Sequence, residues 1–297
     1  MAWRVIDIGN PAQISLKNGQ LIIKQGEEVS LPIEDIDSLI LDSYGINITA
    51  NLLTELAQKG TTVVVCDSKH LPASLILPYS QHSRQAKISR QQIAMNQPLK
   101  KRLWRKIIIQ KIVNQAVVLR EFDYDGQALF ELAKVVRSGD TTNRESQAAR
   151  LYFSLLLNDE TRRKPIWYNA ALNYSYALVR SSLARHIAAR GLIASQGVFH
   201  RSELNSFNLA DDLIESFRPI VDEYVLARVA PFHFDGPGLG LSKQDKERIV
   251  DIFNYSAIIS GKKLAIKYAT ERLVESFVQS IESQDENRLL LPELLTK

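Results

Sequence analysis

A chain of 297 residues with 45% hydrophobic and 24% charged content has the balance of an ordinary soluble globular protein and is long enough for one large domain or two smaller ones. No apolar run reaches bilayer length, and Met1-Ala-Trp-Arg-Val5 leads into an alternating pattern instead of a signal-peptide core, so a cytoplasmic protein with no membrane partner is expected. A single cysteine, Cys66, excludes an internal disulfide and a thiolate-based structural zinc site.

Extended segments are predicted over 3–8, 13–17, 20–24, 28–33, 38–41, 62–66 and 73–77, with Asn18-Gly19 between two alternating runs as a hairpin turn. A helix over 49–60, stopped by Gly60, interrupts them. Beyond Pro78 the strand signal fades. Pro98 opens a long helix over 99–119, and further helices are predicted over 126–136, 143–157, 167–190, 208–228, 242–253 and 261–283. The expected fold class is α+β with two domains. A small β-rich N-terminal domain with one helix spans 1–81, and a larger all-α domain spans 82–297, of which 82–98 is an interdomain segment.

The net charge of +4 hides an asymmetry, because no Asp or Glu occurs from Ser68 to Arg120 while Lys and Arg recur throughout that stretch. A basic block without acids at i,i+4 favours a polyanion over a salt-bridge-laced surface. Arg84, Lys87 and Arg90 follow at steps of three, and Lys101 and Arg105, flanked by Lys100 and Lys111, extend the strip. Contact with a nucleic-acid backbone is the expectation for the strip as a whole.

Between 208 and 219 the run Asn-Leu-Ala-Asp-Asp-Leu-Ile-Glu-Ser-Phe-Arg-Pro is helix-patterned, yet it carries three acids. Asp211, Glu215, Arg218 and Asp222 share one face; Leu213, Phe217, Ile220, Val221 and Tyr224 form the opposite one. A solvated acidic face is the ordinary meaning of such a helix. Upstream, His200 sits on a loop after the 167–190 helix, and Glu145 lies in the first turn of another, where a carboxylate also favours the helix N-terminus. An imidazole on a loop, a carboxylate on the following helix and a second one from a separate helix make a mixed nitrogen and oxygen site. Such a donor set suits Mg²⁺ or Mn²⁺ with positions left for water and phosphate oxygens, and beside a basic groove it points to phosphoryl chemistry on nucleic acid. His186 and His233 lack a ligand-spaced acid, and Gly236-Pro-Gly-Leu-Gly240 lacks the strand and the Gly-Lys-Ser/Thr of a phosphate loop. Asn169, Asn173, Tyr174 and Tyr176, separated by small residues, serve either close helix packing or the surroundings of the metal.

The opening Trp3-Arg-Val-Ile6, the segment Glu145-Ser-Gln-Ala-Ala-Arg-Leu-Tyr-Phe153, Asn169-Ala-Ala-Leu-Asn-Tyr-Ser-Tyr-Ala-Leu178, His200 and Asp212-Leu-Ile-Glu-Ser-Phe-Arg-Pro219 resemble, in order and spacing, the CRISPR-associated integrase known as CRISPR-associated protein one, in the compact form of type II systems. The resemblance implies a β-rich domain that pairs two subunits into a homodimer and a helical domain in which Glu145, His200 and Glu215 are the catalytic and metal-binding triad. Asp212 stands where some members recruit a further acid and ranks second to Glu215. It also implies assembly with a dimer of CRISPR-associated protein two, and insertion of short DNA into the repeat array by attack of a 3′-hydroxyl on a phosphodiester. Ile214 and Ser216 replace the Met and Pro frequent in the family, next to the ligand and not at it. Two other readings stay open: a non-catalytic DNA-binding scaffold whose acids cap helices, and an RNA-acting metallonuclease, the weaker because no aromatic ribonucleoprotein motif is present.

Overall fold

A computed structural model describes residues 4–68, 72–77, 84–157, 162, 164, 166–233 and 240–295. The backbone divides into two compact units, Met1–Ser83 and Arg84–Lys297. The architecture is α+β, strand-rich first and mostly helical afterwards.

In the first unit the strands are β1 (Arg4–Ile8), β2 (Ala12–Lys17), β3 (Gln20–Gln25), β4 (Glu27–Pro32), β5 (Ile36–Leu41), β6 (Ile46–Ile48), β7 (Thr62–Cys66) and β8 (Pro72–Ile76), with helix α1 (Ala50–Gln58) between β6 and β7. One sheet has the order β1-β5-β7-β8, with β1, β5 and β7 parallel and β8 antiparallel; the other runs β4-β3-β2-β6. Asn18 and Gly19 take φ of 51° and 71°, the geometry of a two-residue hairpin turn whose twist matches its strands, and Lys17 pairs with Gln20. Ile14, Leu21 and Ile23 from one sheet, Leu39, Leu41 and Val63 from the other, and Leu52 and Leu56 of α1 share one core. The short β6, parallel to β2, is the strand absent from the sequence expectation; three residues are too few to show alternation.

The second unit departs from the all-α expectation. Its helices are α2 (Gln85–Ile93), α3 (Gln97–Glu121), α4 (Gln127–Lys134), α5 (Arg144–Leu156), α6 (Trp167–Ala189), α7 (Asn208–Ile214), α8 (Arg218–Tyr224), α9 (Lys243–Val250) and α10 (Ile266–Ser283). It also holds a three-stranded sheet of order β10-β9-β11, formed by β9 (Ser256–Ile259), β10 (Lys262–Ala265) and β11 (Glu293–Leu294). The helix predicted over 261–283 starts at Ile266 because Ser260 and Gly261, with φ of 54° and 73°, turn the chain back into a hairpin. The stretch taken as an interdomain segment, 82–98, contains α2.

The helix predicted over 208–228 is broken. Pro219 has no N–H to give the carbonyl four residues back, so the helical ladder fails at Glu215 and restarts at Arg218. A π-helical turn at Val225–Val229 follows. Gly236–Leu239 fall outside the described residues. Among the described residues no helix is long and apolar enough to cross a membrane.

Helix α3 is the spine of this unit. Asn96 caps it by accepting from the Leu99 N–H at 2.8 Å, and Pro98 sits in the first turn, where its missing donor is harmless. Leu99, Leu103, Ile107, Ile108 and Ile112 are fully buried along it. One turn beyond Lys111, the buried Asn114 side chain donates to the carbonyls of Ser216 (3.0 Å) and Pro292 (2.9 Å) and accepts from the Leu294 N–H (3.3 Å). It thereby fixes α3 against the break after Glu215 and against β11. Asn114→Ala strands two buried carbonyls and one N–H and should lower unfolding stability by about 3 kcal/mol in urea melts; a drop under about 0.5 kcal/mol, the size of an ordinary surface change, would contradict this role.

Candidate active site

Three helices deliver charge to one point. Lys111 leaves the buried side of α3 and its Nζ lies 2.5 Å from Glu145 Oε1 and 2.5 Å from Glu215 Oε2, so the two carboxylates converge on one ammonium. Glu145 is set in the first turn of α5, whose opening N–H groups at Arg144 and Glu145 are capped by the Asp140 carboxylate at 2.8 and 3.0 Å. Glu215 occupies the break before α8, and its second oxygen accepts from Arg218 Nε at 2.8 Å. Burial raises the pKa of Glu215, but Lys111 and Arg218 overcome it and bring the carboxyl down to about 2. For Lys111 burial opposes the charge, and the carboxylates of Glu215 and Glu145 outweigh it and raise its pKa. Arg218 is raised in the same way, against the cost of burial, chiefly by Glu215.

Asp212, fully buried on α7, organises the loop that carries His200. Its Oδ2 accepts from the N–H groups of Val198 and Phe199 and its Oδ1 from the His200 N–H, at 2.5, 3.0 and 3.1 Å. The same Oδ1 lies 2.7 Å from His200 Nδ1. A ring nitrogen tied in this way leaves Nε2 for other work. The bond to Asp212 is the main cause of a raised His200 pKa; partial burial opposes it, and the charges of Asp212, Glu215 and Asp211 add to the rise. Trp104 braces the loop, stacked on Phe199 at 4.3 Å between ring centroids and edge-on to His200 at 5.7 Å.

Behind these groups Asp222 of α8 accepts from Tyr152 of α5 at 2.9 Å and from Tyr176 of α6. Its burial is complete and pushes the carboxyl up to about 6, although the hydrogen bond from Tyr176 and the charge of Arg162 work the other way. The Arg218 guanidinium lies over the Tyr176 ring at 4.6 Å. Asn169 and Asn173 both accept from Arg162, and Asn169 Nδ2 donates to the Lys164 carbonyl at 2.7 Å, so these asparagines hold a local turn.

The face shared by Asp211, Glu215, Arg218 and Asp222 is not the solvated acidic face that such a helix ordinarily means: Glu215 is 6% exposed and Asp222 1%. Among the described residues no three His, Cys, Asp or Glu side chains form a group that could hold a metal ion as they stand; Glu145 and Glu215 meet at Lys111 instead. Lys111 is therefore no part of a surface strip. A lysine spaced four from Ile107 and three from Ile108, on the apolar side of a helix, demands a buried counter-charge, and that was the sequence signal for it. Asp212 has both oxygens engaged by the loop. Arg102 of the basic block is paired through space with Glu286 at 2.9 Å and Lys87 with Glu282 at 3.1 Å, acids far away in the chain that an i,i+4 search does not see. Arg90 and Arg105 donate to the carbonyls of Ala86 and Val136, at 3.1 and 2.8 Å. Arg84 opens α2. Lys101 lines a cleft of about 340 Å³ with Lys100, Trp104, Phe199 and Arg201, beside the His200 loop.

The fold is shared with solved structures of two kinds. One is titled "Casposase bound to integration product" (TM-score 0.80, 20% identity, 96% of this chain and 92% of the other), and one is a CAS1 protein from Thermotoga maritima (TM-score 0.75, 16% identity, 94% and 97%). Residues 8–234 match the family described as CRISPR associated protein Cas1, and the chain belongs to that family. It is 41% identical over 302 residues, 99% of this chain and 97% of the relative, to "CRISPR-associated endonuclease Cas1" of Neisseria meningitidis serogroup C (strain 8013). A second relative, "CRISPR-associated endonuclease Cas1 1" of Francisella tularensis subsp. novicida (strain U112), is 24% identical over 72% of this chain and 74% of its own.

Gly197 tests the loop. A Cβ there would stand 2.4 Å from the His200 carbonyl oxygen and 2.7 Å from Asp212 Oδ2, so Gly197→Ala must push the loop off its carboxylate, at about 1–3 kcal/mol. Because the His200 pKa is raised, the stability from its bond to Asp212 is complete below the ordinary imidazole value of 6.5 and fades as pH rises through the raised one. An NMR titration of the His200 ring should show its midpoint falling in Gly197→Ala; an unchanged midpoint would contradict the Asp212 assignment.

Proposed function

We propose that this protein is a metal-dependent DNA integrase and nuclease of CRISPR spacer acquisition, which joins the 3′-hydroxyl ends of short DNA to the repeat array by transesterification. One observation carries the reading: Glu145 and Glu215, from separate parts of the chain, converge on a single cationic centre, and the charge of Glu215 also acts on the His200 imidazole, whose other nitrogen is already held. An ammonium at that point is a stand-in for the positive charge the carboxylates are built to receive. Two carboxylate donors and His200 Nε2 are the kind of oxygen and nitrogen set that Mg²⁺ or Mn²⁺ takes with positions to spare, so in donor chemistry, once Lys111 gives way, the residues fit such an ion.

A bound divalent ion would polarise the phosphodiester and favour the ionised form of the attacking hydroxyl. The protein's own share is positional and electrostatic. Asp212 orients the His200 ring, Asn114 and Pro219 fix Glu215 at the helix break, and the Asp140 cap fixes Glu145. Arg218 keeps Glu215 ionised and supplies a positive charge near a phosphate drawn to the site. Lys100, Lys101 and Arg201, around the cleft beside the His200 loop, would contact backbone phosphates, as would Arg84, Lys87, Arg90 and Arg105 of the basic block. No Ser, Tyr or Cys nucleophile is needed, and with water as the attacking group the same site would hydrolyse DNA.

Supporting the reading, the Neisseria relative is called an endonuclease, and the structural neighbours include proteins titled as a casposase with integration product, a Cas1–DNA complex and a Cas6-RT-Cas1–Cas2 complex. DNA, a second copy of the chain and a Cas2 dimer are the proposed partners.

In strand transfer of a short duplex with free 3′-hydroxyls, Mn²⁺ should support turnover by the wild type, and Glu145→Gln, Glu215→Gln or His200→Ala should each lower it by about 10²-fold or more. Wild-type rates in a variant that still binds DNA would show the catalytic assignment of these residues to be wrong, and preferential action on RNA would favour the metallonuclease of RNA. For duplex binding, Lys101→Gln with Arg201→Gln should reduce the slope of log affinity against log salt by about 1 for each phosphate that is no longer neutralised; an unchanged slope removes the cleft from the DNA path.

A further inference from the structure

The Lys111 side chain stands where the proposed function needs a metal. Its ammonium touches both carboxylates at 2.5 Å, and a sphere of divalent-metal coordination reaches about the same distance from its oxygens. The two occupants exclude each other. Among the described residues, Glu145 and Glu215 are what holds the Lys111 Nζ, at the end of a flexible four-carbon stem rooted on a rigid helix. Glu145 is about a third exposed at its side chain, so the bridge is reachable from solvent on that side, while the Lys111 and Glu215 side chains are each 8% exposed. With Arg218 on the second oxygen of Glu215, the cluster carries two positive and two negative groups and is neutral without metal. Entry of a divalent cation with Lys111 still in place would put three positive centres on two carboxylates; departure of Lys111 as the metal arrives restores the balance to within one charge.

We propose that Lys111 is the resident counter-ion of the metal-free site, and that a divalent cation enters by exchange with it, turning the Lys111 ammonium out of the space between Glu145 and Glu215. The lysine then remains within a stem's length of the bound ion, on the side from which it withdrew. This rests on the proposed metal dependence and goes beyond it, since it assigns Lys111 a competing role toward the metal and not that of a DNA contact on the surface.

Two measurements on the full chain test the exchange. Calorimetric titration with Mn²⁺ compares wild type, Lys111→Met and Glu145→Gln. Removing the competitor should tighten Mn²⁺ binding by about tenfold or more, and Mn²⁺ should raise the melting temperature of Lys111→Met by more than it raises that of wild type. Binding in Lys111→Met that equals or is weaker than wild type overturns the proposal. Should Lys111→Met not fold without metal, the wild type itself answers: acetylation of Lys111 by an N-hydroxysuccinimide ester, followed by peptide mass spectrometry, should be slow without metal and several-fold faster at saturating Mn²⁺. Equal labelling with and without Mn²⁺ overturns it as well. Wild-type Mn²⁺ binding that Glu145→Gln does not weaken would instead sink the metal reading on which this one stands, whereas Glu145-dependent binding with unchanged Lys111 labelling sinks the exchange alone.

Discussion

A charged amine buried among helices decides how the second unit of this protein is put together. Lys111 lies on the apolar side of α3 and cannot stay there as a cation without compensation, since an unpaired ammonium in such surroundings costs several kcal/mol. Compensation comes from α5 through Glu145 and from the break after α7 through Glu215, and Arg218 balances the second of these. Three helices are thus held in register by charge as well as by packing. Such a cluster is a poor source of stability, because an apolar replacement of similar shape would do as well or better. In the proposed reading the cluster is kept because it leaves a site electrostatically poised for a cation.

The surrounding architecture keeps those charges where they are. Pro219 removes one helical donor, so Glu215 stands at an interruption where its backbone carbonyl receives no N–H from four residues on. Asn114 stitches the interruption to α3 and β11, and Asp222, shared between Tyr152 and Tyr176, ties α5, α6 and α8 together. Asp212 does for the His200 loop what Asn114 does for the break. It saturates three backbone donors and a ring nitrogen at once, and a carboxylate so fully used has little left to offer a metal.

Much of this is legible in the sequence because it depends on local chemistry. Asn18-Gly19 announces a hairpin and Pro98 after Asn96 announces a helix start, while Glu145, His200 and Glu215 are singled out as a set by the resemblance to the family. What was not legible depends on tertiary partners. Lys111 looks like one more member of a basic block until Glu145 and Glu215, far away in the chain, are seen against it. Arg102 and Glu286 are hidden in the same way. Asp212 and Glu215 differ by three positions on one helix-patterned run, and only the loop folded over Asp212 separates an orienting carboxylate from one that faces a cation. Of the hairpin, β10 escaped because its four residues adjoin a strongly periodic helix, whose pattern swallowed them, and β9 because four residues are too few to show alternation.

The central claim is that Glu145, Glu215 and His200 form a place for a divalent cation. Anomalous scattering from a crystal of the full chain grown with Mn²⁺ measures this directly. The expected result is a peak bonded to an oxygen of each glutamate with the His200 ring nitrogen facing it, and Lys111 no longer between them. A crystal saturated with Mn²⁺ that shows no peak at that position, with Lys111 still bridging the two carboxylates, would contradict it.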